Sequence, residues 1–340
     1  MTVTYEFDTR PANGQTQKIA DGVHWLRMPL PMQLEHINLW LLEEDSGWAV
    51  VDTGINTEKS REVWRDTISS LMSEKPIDHV VVTHLHPDHV GCAGWLVDEY
   101  GIDLWMAREE YLLCRILVAD TGSIAPTEGI RFYRAAGFPE EALERYMQMF
   151  GFFGKYVAPL PETYRRLIDG EKMVFAGHEW EVVVGRGHSL EHACLFDAER
   201  NLFISGDQLL PTISSNVSVY PTEPLANPLR DWLDSLQQLK ERLPEDVLVL
   251  PAHGKPFRGA HGRLDELIKE HTDGLDALHA LCAEPRRAVD VFPALFKGRI
   301  SDSNMIMATG ESISHLNYLV AAGEIKVDSD NDGVLWYQRS

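Results

Sequence analysis

Between Thr83 and His89 the chain reads Thr-His-Leu-His-Pro-Asp-His, three imidazoles and one carboxylate within six residues, directly after an apolar stretch. The segment Asp78 to Val82, with Val80, Val81 and Val82 at its heart, reads as a buried strand that ends at Thr83. The His/Asp run then lies on the loop leaving that strand, where a rigid scaffold holds side chains in place. Imidazole and carboxylate donors suit zinc, iron or manganese. His84 and His86, two apart, can point one way while Asp88 and His89 turn toward a second ion.

Three further junctions repeat the pattern. Gly187-His188-Ser189 follows the apolar run Glu181 to Val184, Ser205-Gly206-Asp207 follows Leu202-Phe203-Ile204, and Pro251-Ala252-His253-Gly254 follows Val247 to Leu250. Each reads as a strand end delivering His or Asp, with a glycine that lets the backbone approach a metal centre closely. Any one alone is an ordinary turn; the order is what is specific. Asp52-Thr53-Gly54 follows a further strand, Trp48 to Val51.

This set, from Lys18 to Leu281, resembles the metallo-β-lactamase-fold hydrolase superfamily. The resemblance implies an α/β fold, a four-layer αββα sandwich, with His84, His86 and His188 on a first metal and Asp88, His89 and His253 on a second. Asp207 would bridge the two. In the β-lactamases proper another residue takes the bridging position, so Asp207 points to the ester, thioester, lactone and phosphodiester hydrolases. Flavodiiron proteins place a Glu where His86 stands, which argues against oxygen or nitric oxide chemistry.

Two divalent ions about 3.5 to 4 Å apart can share a hydroxide that attacks at neutral pH and can polarise the oxygen under attack. Zinc is the first expectation for both, with manganese and iron as alternatives. Asp88 is the candidate catalytic residue, placed to orient the nucleophile and carry its proton to the leaving group. His192 reads either as a partner that orients a ligand or as an ordinary histidine opening the strand Ala193 to Asp197. Asp52 is expected to hold the ligand loops through backbone amides. His24, His36, His79, His178, His261, His271, His279 and His315 lack such contexts and read as surface or core residues.

The formal charge of -21 sets the other boundary. Phosphate-backbone binding rests on Lys and Arg clusters, whereas the only arginine doublets here are Arg165-Arg166 and Arg286-Arg287. Nucleic acid is therefore not an expected partner. There is no apolar run of about 18 residues and no basic-then-apolar start, so the reading is a cytoplasmic enzyme without a membrane span. Cys92, Cys114, Cys194 and Cys282 are widely spaced in apolar contexts and read as reduced, packed thiols.

Residues 1–283 are read as the catalytic domain. It contains an insertion, about 104–170, of three helices: Arg108 to Ala119, Thr127 to Ala136 and Glu140 to Phe150. The insertion is rich in Tyr and Phe and reads as a hydrophobic lid over the site, favouring a substrate with an apolar acyl portion. Shortening it is expected to alter substrate choice more than metal content. Arg165, Arg166, Arg186 and Lys255 are candidates to meet an anionic part. Residues 284–340 read as helix (Val289 to Phe296), helix (Ala308 to Ala322) and hairpin (Glu324 to Val327 with Val334 to Tyr337), the winged-helix order. Glu311 to Ile325 resembles the C-terminal segment of the lactamase-β-2-like branch. Its second helix has no Lys or Arg and its turn holds three Asp, so it is expected to pack on the body or on a second subunit of a homo-oligomer.

The leading function is hydrolysis of a small thioester, ester or lactone, with glyoxalase II-like activity as one member. The alternative is a phosphodiesterase or endoribonuclease of the same fold, with β-lactam hydrolysis behind both.

Overall fold

The computed structural model describes residues 3–32 and 34–340. Strand His36–Glu43 shows how the sandwich arises. It is buried almost throughout, with Ile37, Leu39 and Leu41 facing one apolar cluster and Trp40 and Leu42 facing another. A strand covered on both faces needs an unbroken apolar run rather than an alternating one. The same holds for Ile77–Val82, where Val80 and Val82 face outward to the helices and Val81 faces the opposite sheet.

Two seven-stranded sheets result. One has the spatial order Thr16–Ala20, Val23–Pro29, His36–Glu43, Trp48–Val51, Ile77–Val82, Asp103–Met106, Arg165–Arg166. The other runs Thr4–Tyr5, Phe257–Arg258, Leu248–Pro251, Leu202–Gly206, His192–Asp197, His178–Gly185, Lys172–Phe175. Between them lies a core of Trp25, Trp40, Val51, Trp180, Leu195, Ile204 and Leu250. Helices Glu58–Ser70, Ala93–Tyr100 and Arg108–Ala119 cover the first sheet through Trp64, Leu96 and Tyr111. Helices Pro228–Arg242 and Ala260–Leu281 cover the second through Trp232, Leu236 and Leu264. The four layers match the expected αββα order.

At one edge the sheets are stitched by backbone hydrogen bonds. Ala193 N donates to Thr83 O at 2.8 Å, and Asn38 N donates to Ala252 O at 2.7 Å. Those contacts bring the C-terminal ends of Trp48–Val51, Ile77–Val82, Leu202–Gly206 and Leu248–Pro251 together.

The expected elements are observed with small boundary changes, with one exception. The single helix read over Val289 to Phe296 is a 3-10 turn, Ala288–Val291, followed by a separate helical turn, Phe292–Leu295. Pro293 has no N–H to continue a helix but is at home at the start of one. The helix Met305–Ala321 and the hairpin Ile325–Ser329 with Leu335–Arg339 complete the chain. Ile313, Leu316, Leu319, Ile325 and Tyr337 join Trp232, Leu264 and Leu278 in one apolar cluster, so this last region packs on the body. Among the described residues no helix is long and apolar enough to cross a membrane. All four cysteines are buried and unpaired, and burial pushes the Cys92 and Cys114 thiols up to about 12.

Candidate metal centre

The seven expected residues converge at the stitched edge. The candidate donor atoms of His84, His86, His188 and Asp207 lie within 4.8 Å of one another, as do those of Asp88, His89 and His253. Asp207 touches both groups. Its Oδ2 is 3.3 Å from His188 Nε2 and 3.5 Å from His89 Nε2, and its Oδ1 is 3.5 Å from His253 Nε2. Asp88 Oδ2 lies 3.4 Å from His253 Nε2 and 3.8 Å from His89 Nε2.

Three of the five rings are aimed from behind. His89 Nδ1 donates to Asp52 Oδ2 at 2.8 Å, His188 Nδ1 to Asn216 O at 2.7 Å, and His253 Nδ1 to His36 O at 3.0 Å. A ring that donates from Nδ1 presents the lone pair of Nε2, the arrangement a metal ligand needs. Asp52 also accepts from Thr83 N at 2.8 Å and from the Thr83 hydroxyl. It thus does what its sequence context implied and additionally orients His89. Asp52 sits at φ 63°, a conformation Asp tolerates better than most residues.

His192 belongs to the site's support. Its Nε2 accepts from Asp207 N at 3.0 Å, and its ring stacks on His84 with centroids 4.6 Å apart. A side chain at Gly206 would strike it, since a Cβ there would lie 2.4 Å from His192 Cε1 at a backbone φ of 50°. The Ser-Gly-Asp sequence therefore seats Asp207 against His192.

The electrostatics fit a cation. Burial holds His86 down at about 3, and burial together with the neighbouring imidazoles holds His84 well below its usual value. Burial opposes charge on His89 too, but Asp52, Asp207 and Asp88 outweigh it and lift that ring well above the ordinary range. Burial likewise opposes ionisation of Asp207, yet His89 and His253 hold it well below a normal carboxyl. His89 Nε2, His188 Nε2 and Asp207 Oδ1 are buried without a hydrogen bond of ordinary geometry. Such atoms are costly unless something satisfies them. An imidazole and carboxylate donor set converging on orphaned atoms fits divalent metal.

Three supporting residues carried no sequence signal. Glu110 is fully buried, and its carboxylate accepts from Leu85 N at 2.9 Å and Glu191 N at 2.7 Å. It clamps the His84–His86 loop to the loop of His188. Asn38 donates to Pro251 O and Gly254 O at 2.8 and 2.9 Å, bracketing His253. Asn216 supplies the carbonyl behind His188.

Glu110 belongs to the inserted helix Arg108–Ala119, so part of the expected lid also braces the ligand loops. Through Glu110 that helix holds the backbone at Leu85 and at Glu191. Tyr133, Phe138, Leu143 and Tyr146 of the other inserted helices are buried in a cluster of their own, with Val289, Met305 and Ile306 against it. The candidate anion-binding residues are also engaged elsewhere. Arg165 pairs with Glu171, Arg166 and Arg186 flank Glu191, and Lys255 donates to Phe7 O.

A buried His/Asp cluster at the edge of a two-sheet sandwich has the donor set of a divalent-metal site. The comparisons agree: residues 33–253 match the metallo-beta-lactamase superfamily, and residues 275–340 match the metallo-beta-lactamase-like C-terminal domain. The chain belongs to the metallo-beta-lactamase superfamily. A beta-lactamase domain protein from Burkholderia ambifaria, known from its crystal structure, is 38% identical with a TM-score of 0.91, over 99% of this chain and 98% of that one. The probable metallo-hydrolase YqjP of Bacillus subtilis is 24% identical over 87% of this chain and 91% of its own length. The linear primary-alkylsulfatase of a Pseudomonas strain is 24% identical over 70% of this chain, which spans 45% of that protein.

Proposed function

We propose that this protein is a dinuclear metal hydrolase of a small, largely uncharged acyl substrate, a thioester, ester or lactone. His84, His86 and His188 would hold one ion and Asp88, His89 and His253 the other, with Asp207 in reach of both groups. The observation that carries this reading is the reach of the Asp207 carboxylate, one oxygen within 3.3 Å of His188 Nε2 and the other within 3.5 Å of His253 Nε2. Two divalent ions, zinc first, supply when bound an acidified water and positive charge beside the oxygen under attack.

The chain's own residues do the rest. Asp52, Asn216 O and His36 O accept from Nδ1 of three imidazoles and fix the direction in which each presents Nε2. Asp88, beside His253 and partly open to solvent, takes the proton released on attack and returns it to the leaving group. Leu190, two residues past His188, and Ile213, on the segment after Asp207, are exposed apolar side chains. They offer a surface to an apolar acyl or alkyl portion. The engagement of Arg166, Arg186 and Lys255 disfavours a phosphodiester or nucleic acid. The alkylsulfatase likeness keeps alkyl sulfate esters among the substrates to test.

We further assign residues 1–283 to the catalytic domain and 284–340 to a winged-helix-like segment that stabilises it. The test is a hydrolysis screen of thioesters, lactones, esters, alkyl sulfates, β-lactams and phosphodiesters with metal-replete and metal-stripped protein. Metal-dependent turnover of an acyl substrate is expected. Turnover confined to phosphodiesters would replace the acyl reading by the nuclease one.

A further inference from the structure

The segment after Asp207 is held from two sides. On one side, Asn216 O accepts from His188 Nδ1 at 2.7 Å, and Ser215 Oγ donates to Asp207 O at 2.5 Å. On the other, Asn216 Nδ2 donates to Glu311 Oε2 at 2.6 Å, and Ser218 Oγ donates to Asn216 Oδ1 at 2.5 Å. Glu311 lies on the helix Met305–Ala321, in the last region of the chain. The backbones meet as well, with Val219 N donating to Gly310 O at 3.0 Å. At Gly310 a Cβ would lie 2.7 Å from Ser218 Oγ and 3.0 Å from Val219 O. The glycine before Glu311 therefore permits this close approach.

We propose that Glu311 is a positioning residue for the metal centre: by fixing the side chain of Asn216 it fixes the Asn216 carbonyl, and so aims His188 Nε2. The proposal rests on His188 being a metal ligand, as argued above. A carbonyl behind a ligating imidazole sets its tautomer and its direction, and losing such a partner typically weakens metal binding 10- to 100-fold. Both Asn216 side-chain atoms are engaged, by Glu311 and by Ser218, which anchors in place the residue whose carbonyl backs His188. The C-terminal region thus completes the site, and its loss would be felt at the metal through a path of three residues.

The experiment is cobalt(II) titration of the metal-stripped full-length protein against a competing chelator, read by the visible absorption of the bound ion. Glu311→Ala should weaken the tighter or weaker of the resolved sites by about 10- to 100-fold and alter its absorption band. Glu311→Gln, which can still accept from Asn216 Nδ2, should stay close to wild type. Asn216→Ala should reproduce the loss, and the double variant should add little to it. Leu319→Ala, a cavity in the same helix away from Asn216, controls for destabilisation by lowering the melting temperature without changing cobalt affinity. Unchanged affinity in Glu311→Ala would overturn the proposal while leaving the dinuclear reading intact. Equal loss in Leu319→Ala would overturn it too, by showing a general packing effect. A wild type that binds no cobalt would overturn the metal-site reading itself, and this proposal with it.

Discussion

Replacing Glu110 tests whether the inserted helix braces the site. Its carboxylate lies in the first turn of Arg108–Ala119 and accepts from Leu85 N at 2.9 Å and Glu191 N at 2.7 Å, with no solvent exposure. Burial raises its pKa, and the hydrogen bonds from the Glu191 and Leu85 amides offset part of that cost. Hydrogen bonds to a charged acceptor contribute about 1.5–3 kcal/mol each, and an orphaned buried N–H costs about 1–3 kcal/mol. Glu110→Ala removes both bonds and also relieves the burial of a carboxylate, so a net loss of about 3 kcal/mol is expected. Glu110→Gln keeps one acceptor oxygen but turns an NH2 group toward the second N–H, so it should lie between Ala and wild type. Denaturant unfolding of the metal-stripped protein reads the stability. Chelator competition reads the metal, which should bind about 10-fold more weakly, by analogy with other supporting partners. A loss under about 1 kcal/mol with unchanged metal affinity would refute the bracing argument.

Further outcomes follow from the same contacts. Asp52→Asn should weaken metal binding by roughly 10- to 100-fold, because it loses the charge that holds His89; a chelator titration matching wild type would contradict this. Burial depresses His315 to about 4 and His271 to about 3, both below the ordinary 6.5. A ring whose folded pKa is depressed contributes stability that is complete above the unfolded value and is lost as pH falls through the folded one. Stability of the metal-stripped protein should therefore decline from about pH 6.5 toward pH 4, and His271→Gln should flatten that slope. Deleting residues 284–340 should destabilise the protein, since Leu316 and Leu319 are each worth roughly 1.5–3 kcal/mol when covered. The intact protein should not bind duplex DNA or structured RNA across a salt series; sub-micromolar affinity that weakens steeply with salt would contradict that expectation.

The convergence of the candidate ligands was legible because each follows a point where an apolar run stops. Val80-Val81-Val82 could only be a doubly covered strand, so Thr83 had to begin a loop, and the same reasoning placed His188, Asp207 and His253. The partners behind the ligands were not legible. Glu110 looks like one of two acids opening a helix, and its partners Leu85 and Glu191 lie 25 and 81 residues away. Asn38 reaches across 213 residues to Pro251, a contact that depends on how the two sheets meet. The packing of the aromatic insertion was hidden for a related reason: nothing near Tyr133 and Tyr146 in the sequence shows that Val289 and Met305 pack against their cluster. Pro293 did mark a boundary that the helical reading of Val289 to Phe296 ran through.

The central claim is that seven residues hold two divalent ions around Asp207. Elemental analysis of metal-replete, full-length protein tests it most directly, alongside Asp207→Ala prepared in the same way. The account predicts about two ions per chain in the wild type, and fewer in the variant with the fold retained by circular dichroism. One ion or none in the wild type, or an undiminished pair in Asp207→Ala, would contradict it.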